Sequence, residues 1–331
     1  MLGVLMVHFS YNFPAPDIVK SIARMGANCV QIFFVISGYL ACSYFLKPNA
    51  CITEYYKKRA LRILPIYYAA IIAAMLCIEF FSKGHNSDVF HLGWIRYFLG
   101  LNTILPSADF YQWNNVCGFW TMTDFICFYA VIPLLIRFAY TFHRCIILFF
   151  ILLIIARLAH TLGYLLPLNT CFDKISLLIE WSPLVQMQHF GIGMLTFFAV
   201  RENKKSIACV ILIAIAMLPT RLCDSHLLFS ILTGLFIMSV QESDIAIHGA
   251  KRTCLHFLAK YSFHVYLTHL LALRIASKIS YPWCEKSLFL YFTCKLSLSI
   301  IITILLCIFL EMVQRLAIKL FSTKKQAIQT N

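Results

Sequence analysis

Residues 27–46 read ANCVQIFFVISGYLACSYFL, and after a short polar link residues 54–68 read EYYKKRALRILPIYY. The first stretch is nearly unbroken apolar sequence, and its length is what a helix needs to cross a hydrocarbon core, about 20 residues. The second sets Lys57, Lys58, Arg59 and Arg62 at the mouth of the next apolar run. An apolar span followed at once by a basic mouth decides the fold class: all-α, a polytopic integral membrane protein.

The rest of the chain reads the same way. Across 331 residues, 61% are hydrophobic and only 13% charged, and the mean hydropathy of +0.79 excludes an ordinary soluble domain. Apolar runs bounded by charges, prolines or polar clusters fall at 1–12, 27–46, 61–81, 118–139, 145–163, 181–200, 206–220, 226–240, 254–277 and 288–320, which predicts about ten transmembrane helices. The runs 206–220 and 226–240 are short, and the last is long enough to tilt or to continue as a surface helix. No internal repeat, low-complexity linker or soluble domain interrupts them, so residues 1–331 read as one transmembrane domain with a tail at 321–331.

Basic residues orient the bundle. Segments on the side of Lys57–Arg62 also hold Arg137, Arg144, Arg201, Lys204 and Lys205, about twice the Lys and Arg content of the opposite side, where Lys20, Arg24, Arg96 and Lys278 lie. The positive-inside rule then predicts a multi-pass protein with both termini in the cytoplasm. Much of the +14 net charge is therefore topological, and no nucleic-acid partner is expected. The 14 cysteines stand singly, without a C-x-x-C pair, and read as small core hydrophobes; no metal site is expected. Cys117, Cys171, Cys223 and Cys284 lie near the predicted outer face, where a disulfide is chemically allowed.

The opening MLGVLMVHFSYNF is membrane-type, but too few residues precede Pro14 to cross a bilayer. Either the first helix is half-length and buried among others, or the true start lies upstream of Met1 and the helix is incomplete at its N-terminus. It lacks the basic n-region and small-residue cleavage site of a signal peptide. Within it His8 is the one strongly polar side chain, and an ionisable group at membrane depth marks a functional candidate. Ser37 and Gly38 permit close helix approach in mid-span. Arg59 and Arg62, three residues apart, share one helix face and suit phosphate contacts; ordinary membrane anchoring is the plainer reading of Lys57 and Lys58.

These residues carry a family resemblance. LGVLMVHF with FFVISGYL looks like the opening helix pair of the integral-membrane acyltransferase 3 family, which includes bacterial O-antigen and other surface-polysaccharide O-acetyltransferases. KKRALRILPIYY is similar to the family's R-R-L-x-R-I-x-P-x-Y/W block, FWTMTDFICFYAVIPLL to its W-S-L-S-x-E-x-x-F-Y segment, and LAKYSFHVYLTHLLAL to its G-x-x-S-Y-x-x-Y-L-x-H block, with His269 in the histidine place. HFGIGMLTFFAVRENKK is a weaker fifth match. Two features depart from the pattern. An arginine eleven residues before the first histidine would fall before Met1, and Phe125 takes the usual glutamate position with Asp124 beside it. The missing arginine and the short first helix together favour an upstream start.

The resemblance implies an O-acyltransferase, most simply an O-acetyltransferase, of the bacterial inner (cytoplasmic) membrane. Its donor would be cytoplasmic acyl-CoA, usually acetyl-CoA, gripped by Arg59 and Arg62, with no permanently bound cofactor. Its acceptor would be a sugar hydroxyl on a lipid-linked or nascent polysaccharide, and membrane lipid would surround it. His8 is the expected base for the hydroxyl proton, or else a covalent acyl carrier. Ser37, Tyr39, Trp120, Thr123, Asp124, Glu180 and His269 are weaker pocket candidates. Arg157 and Glu180 each require a partner if buried and are candidates for one ion pair, and Glu311 with Gln314 and Arg315 is expected to be solvated. His160, His189, His264 and Arg274 read as interhelical hydrogen-bonding or interfacial groups. Trp94, Tyr111 and Trp113, in the 82–117 segment, suit an interfacial belt. The rival class is a transporter or flippase of a glycan or lipid-linked precursor, which would show repeat symmetry and broken helices in two halves.

Overall fold

The computed structural model describes residues 2–10, 17–81, 93–104, 118–165, 179–220, 222–241, 249–283 and 287–329. Tyr111, Trp113, Cys117, Cys171 and Cys284 lie outside the described residues. Among the described residues twelve α-helices follow in chain order: α1 (Leu2–Ser10), α2 (Asp17–Met25), α3 (Cys29–Phe45), α4 (Ile52–Phe81), α5 (Gly93–Leu99), α6 (Trp120–Phe138), α7 (Phe142–Leu165), α8 (Pro183–Arg201), α9 (Lys205–Ala216), α10 (Ser225–Val240), α11 (Gly249–Ser280) and α12 (Leu288–Gln329). No strand occurs among the described residues. Among the described residues five segments are long and apolar enough to cross a membrane: Asp17–Phe45, Ile52–Cys77, Trp120–Phe138, Phe142–Gly163 and Leu290–Leu320, with α9 and α10 as shorter apolar helices.

Helices α8 and α3 organise the bundle. α8 is buried on nearly every face and packs against α3, α6, α7, α9 and α10, as a helix apolar all round must. It runs parallel to α3, with Gln31 beside Gln186, Val35 beside Gly193, Gly38 beside Phe190 and Tyr39 beside Phe197. Two glycines set this spacing: a Cβ on Gly38 would run into the Phe190 carbonyl, and one on Gly193 into the Val35 carbonyl. Small residues at such crossings let backbones approach where lipid offers no hydrophobic drive to association. Above the crossing, Phe34 stacks on Phe190 at 4.7 Å between ring centroids, and Phe190 on Phe128 at 4.0 Å.

The outer helices are lipid-type on their free faces: Ile147, Ile151, Ile154 and Leu158 of α7 are exposed, as are Ile300, Ile304, Leu305 and Ile308 of α12. α11 and α12 form an antiparallel pair, fixed by Lys260 Nζ on Glu311 at 2.7 Å and by Thr268 near Cys307 at 3.8 Å. Here the expectation for Glu311 is corrected. It is buried, 9% exposed, and also accepts from Arg315 Nε at 3.0 Å, while Gln314 donates to the Arg62 carbonyl at 3.0 Å and so joins α12 to α4. Desolvating a carboxylate requires such partners. α4 also begins earlier than its apolar run, so Arg59 and Arg62 lie on the helix itself, after the Glu54–Lys58 pair at 3.0 Å.

Candidate functional site

Two ends of the bundle carry different chemistry. At the end where α4 begins, the Arg59 guanidinium lies over the rings of Tyr55 and Tyr129, 5.3 and 5.4 Å from their centroids, a cation–π arrangement that fixes its plane. Tyr129 of α6 also accepts, through its backbone carbonyl, from the Tyr56 hydroxyl at 3.0 Å. Arg62, one turn further along α4, is exposed. Of the two arginines, Arg59 is tucked against these rings and Arg62 faces outward. Tyr39 packs its ring edge-on to Phe197 at 5.4 Å and belongs to the α3–α8 contact.

Further toward the opposite end, α1 brings His8 against α11. The rings of His8 and His269 lie 5.2 Å apart, tilted by 47°. His269 Nδ1 sits 2.7 Å from the Tyr266 carbonyl; a carbonyl only accepts, so Nδ1 carries the proton and Nε2 keeps the lone pair. That Nε2 is buried and has no hydrogen-bond partner among the described residues. Tyr266 places its hydroxyl 3.3 Å from the Gly118 carbonyl and its ring 6.4 Å from Phe33.

The start of α6 separates the pair from a second polar region. Trp120 stacks on Trp181, 5.5 Å between centroids and 15° between planes, and meets Phe34 edge-on at 6.3 Å. Thr123 donates to Asn102 Oδ1, and Asp124 is 0% exposed with neither carboxylate oxygen hydrogen-bonded among the described residues. Phe125 instead enters the aromatic core, 5.1 Å from Phe34. Asp124 and Phe125 thus point about 100° apart, as neighbours on a helix do.

Arg157 and Glu180 do not pair with each other. Arg157 Nη1 reaches Asp224 Oδ2 at 3.1 Å and Nη2 reaches Gln188 Oε1 at 3.1 Å, while Glu180 Oε1 faces His226 Nε2 at 3.4 Å. Asp224 takes the arginine because it is fixed as the N-cap of α10, accepting from the Leu227 N–H at 2.8 Å. His189 is interhelical, 2.8 Å from Ser230 Oγ of α10. Breaking a part-buried ion pair from one side leaves the other charge without its partner. Arg157→Met is therefore expected to destabilise the protein by about 2 kcal/mol, the worth of a charged hydrogen bond, and the double variant Arg157→Met/Asp224→Asn to recover part of it. Thermal unfolding in detergent measures both.

Among the described residues no group of three His, Cys, Asp or Glu side chains gathers to hold a metal ion. Sequence reasoning passed over Gln31, Gln186, Gln188 and Trp181; the usable signal was amide side chains inside apolar runs, which are costly there without partners.

A helical bundle with an imidazole pair and a stacked arginine in its interior is a polytopic membrane protein with the makings of a reaction site. A family model described as an acyltransferase domain matches residues 1–311. The chain belongs to the acyltransferase 3 family and is a membrane acyltransferase. No curated protein and no solved structure matches it.

Proposed function

We propose that this chain is an O-acyltransferase that moves an acyl group, most simply acetyl, from cytoplasmic acyl-CoA to a sugar hydroxyl of an exported or surface glycan, working in the bacterial cytoplasmic membrane. The observation that carries the reading is the His8–His269 pair held inside a chain matched over residues 1–311 by the acyltransferase family. Transfer from a thioester to a hydroxyl needs a base at the hydroxyl and a grip on the donor. His8 supplies the imidazole for the first; Arg59, with its plane fixed by two tyrosines, and Arg62 supply cations for the coenzyme phosphates. The phosphates sit at the basic, cytoplasmic end, and the thioester reaches along α3 toward His8.

Mass spectrometry of the surface glycan tests this in the source bacterium, comparing wild type, the gene deletion and the deletion carrying the restored gene. An acetyl ester that disappears with deletion and returns with the gene is the expected result. Identical acylation in all three strains, with export or chain length altered instead, replaces the enzyme by a glycan carrier.

A further inference from the structure

Arg62 stands on a turn of α4 that the helix does not hold by itself. Pro65, three residues on, lies inside α4. A proline there removes the N–H that the Leu61 carbonyl would accept and crowds that carbonyl, which opens the turn before it. Support comes from another helix: Gln314 Nε2 of α12 donates to the Arg62 carbonyl at 3.0 Å, across 252 positions of sequence. The bond uses a backbone oxygen of a residue whose side chain faces outward.

Gln314 is itself held by the residue three places earlier on α12. Glu311 accepts from Lys260 Nζ of α11 at 2.7 Å and from Arg315 Nε at 3.0 Å. His264 of α11, 3% exposed, places its Nε2 3.9 Å from the other oxygen of the same carboxylate. Glu311 is thus committed to α11 and to its own helix. Among the described residues neither Arg59 nor Arg62 stands in an ion pair, so both guanidinium groups keep their charge for an outside anion. What α12 gives to α4 is a fixed backbone and no competing carboxylate.

We propose that Gln314 is a positioning residue for donor binding: through the Arg62 carbonyl it fixes the turn from which the Arg62 guanidinium meets the phosphates of acyl-CoA. The inference rests on the reading of Arg62 as a donor contact given above. Arg59 is held separately, by the rings of Tyr55 and Tyr129. Two cations grip one ligand well only at a fixed spacing, because ordering them on binding costs affinity. Gln314 supplies that spacing for the cation that no ring holds.

Equilibrium binding of radiolabelled acetyl-CoA to the full chain, purified in detergent, tests this. Gln314→Met keeps the length of the side chain and removes its donor; it is expected to raise Kd about fivefold, within the worth of one hydrogen bond. Arg62→Ala is expected to raise Kd about tenfold, by loss of a charged contact. In the Arg62→Ala background Gln314→Met is expected to add nothing, since residues that act as one unit are not additive. A general loosening of the bundle would instead weaken binding further in that background. Wild-type Kd in Gln314→Met beside a raised Kd in Arg62→Ala, or additive losses in the double variant, overturns the positioning role and leaves Arg62 as a donor contact. Wild-type Kd in Arg62→Ala, or no acetyl-CoA binding by the wild-type chain, overturns the donor grip and this role with it.

Discussion

Replacing His8 by alanine is expected to leave the protein folded and to lower kcat/KM for acyl transfer by about 10²–10⁴-fold, the usual worth of a positioned general base. Two features make the loss chemical in origin. His8 is only partly buried and lies on the short α1. Its ring also lies against a second imidazole whose Nδ1 is committed to a backbone carbonyl. His269 is thereby held in one tautomer and one orientation, a fixed partner beside which His8 can gain and lose a proton. His269→Ala removes that partner but not the base, and a smaller loss in kcat is expected, with KM for acetyl-CoA unchanged. Both variants are measured in vesicles at equal protein level, from radiolabel transferred to polysaccharide. A wild-type rate in His8→Ala removes the residue from the reaction.

Much of this arrangement was legible in the sequence because lipid imposes a simple rule. A span must be apolar for about 20 residues and must satisfy its backbone internally, so the runs 118–139 and 226–240 reappear as helices with ends shifted by no more than two residues, and 288–320 as the first part of a helix that continues to Gln329. α4 starts earlier than its run because EYYKKRAL is helix-forming sequence, pinned by an i,i+4 Glu54–Lys58 pair, that hydropathy ignores. α2 escaped notice for the same reason: DIVKSIARM has charges on one side and exposed Ile18, Ile22 and Met25 on the other, an amphipathic pattern too short to read as a span. Partners across the bundle were the least legible. Arg157 needed a carboxylate, but nothing in the order of residues says that Asp224, 67 positions away, stands nearer than Glu180, 23 positions away. His8 and His269 were each visible as candidates, and only the fold brings them within 5.2 Å.

The second large effect is structural. Gly193→Leu is expected to abolish the folded state, and Gly193→Ala to lower thermal stability clearly. Overpacking a core usually costs about 1–3 kcal/mol because side chains can rotate away. Here the first atoms met are backbone: the Val35 carbonyl oxygen, then Tyr39 N and Val35 C at 2.9 Å. Backbone in mid-helix cannot rotate, so α3 and α8 would have to separate. α8 cannot move as a body, because α6, α7, α9 and α10 pack on its other sides, and each ångström of separation forfeits the dispersion contacts that hold apolar helices together in lipid. Gly191, two residues earlier on the same helix, is the control. A Cβ there would meet Leu152 Cδ1 at 3.0 Å and Phe149 Cδ2 at 3.5 Å, side-chain atoms on α7. The leucine end can turn aside, so Gly191→Ala is expected to melt close to the wild type. Fluorescence-detected size-exclusion melts in detergent compare the two alanines directly. If Gly191→Ala and Gly193→Ala lose equal stability, close backbone contact between α3 and α8 is not what sets the spacing on which the alignment of Ser37, Gln31 and Gln186 depends.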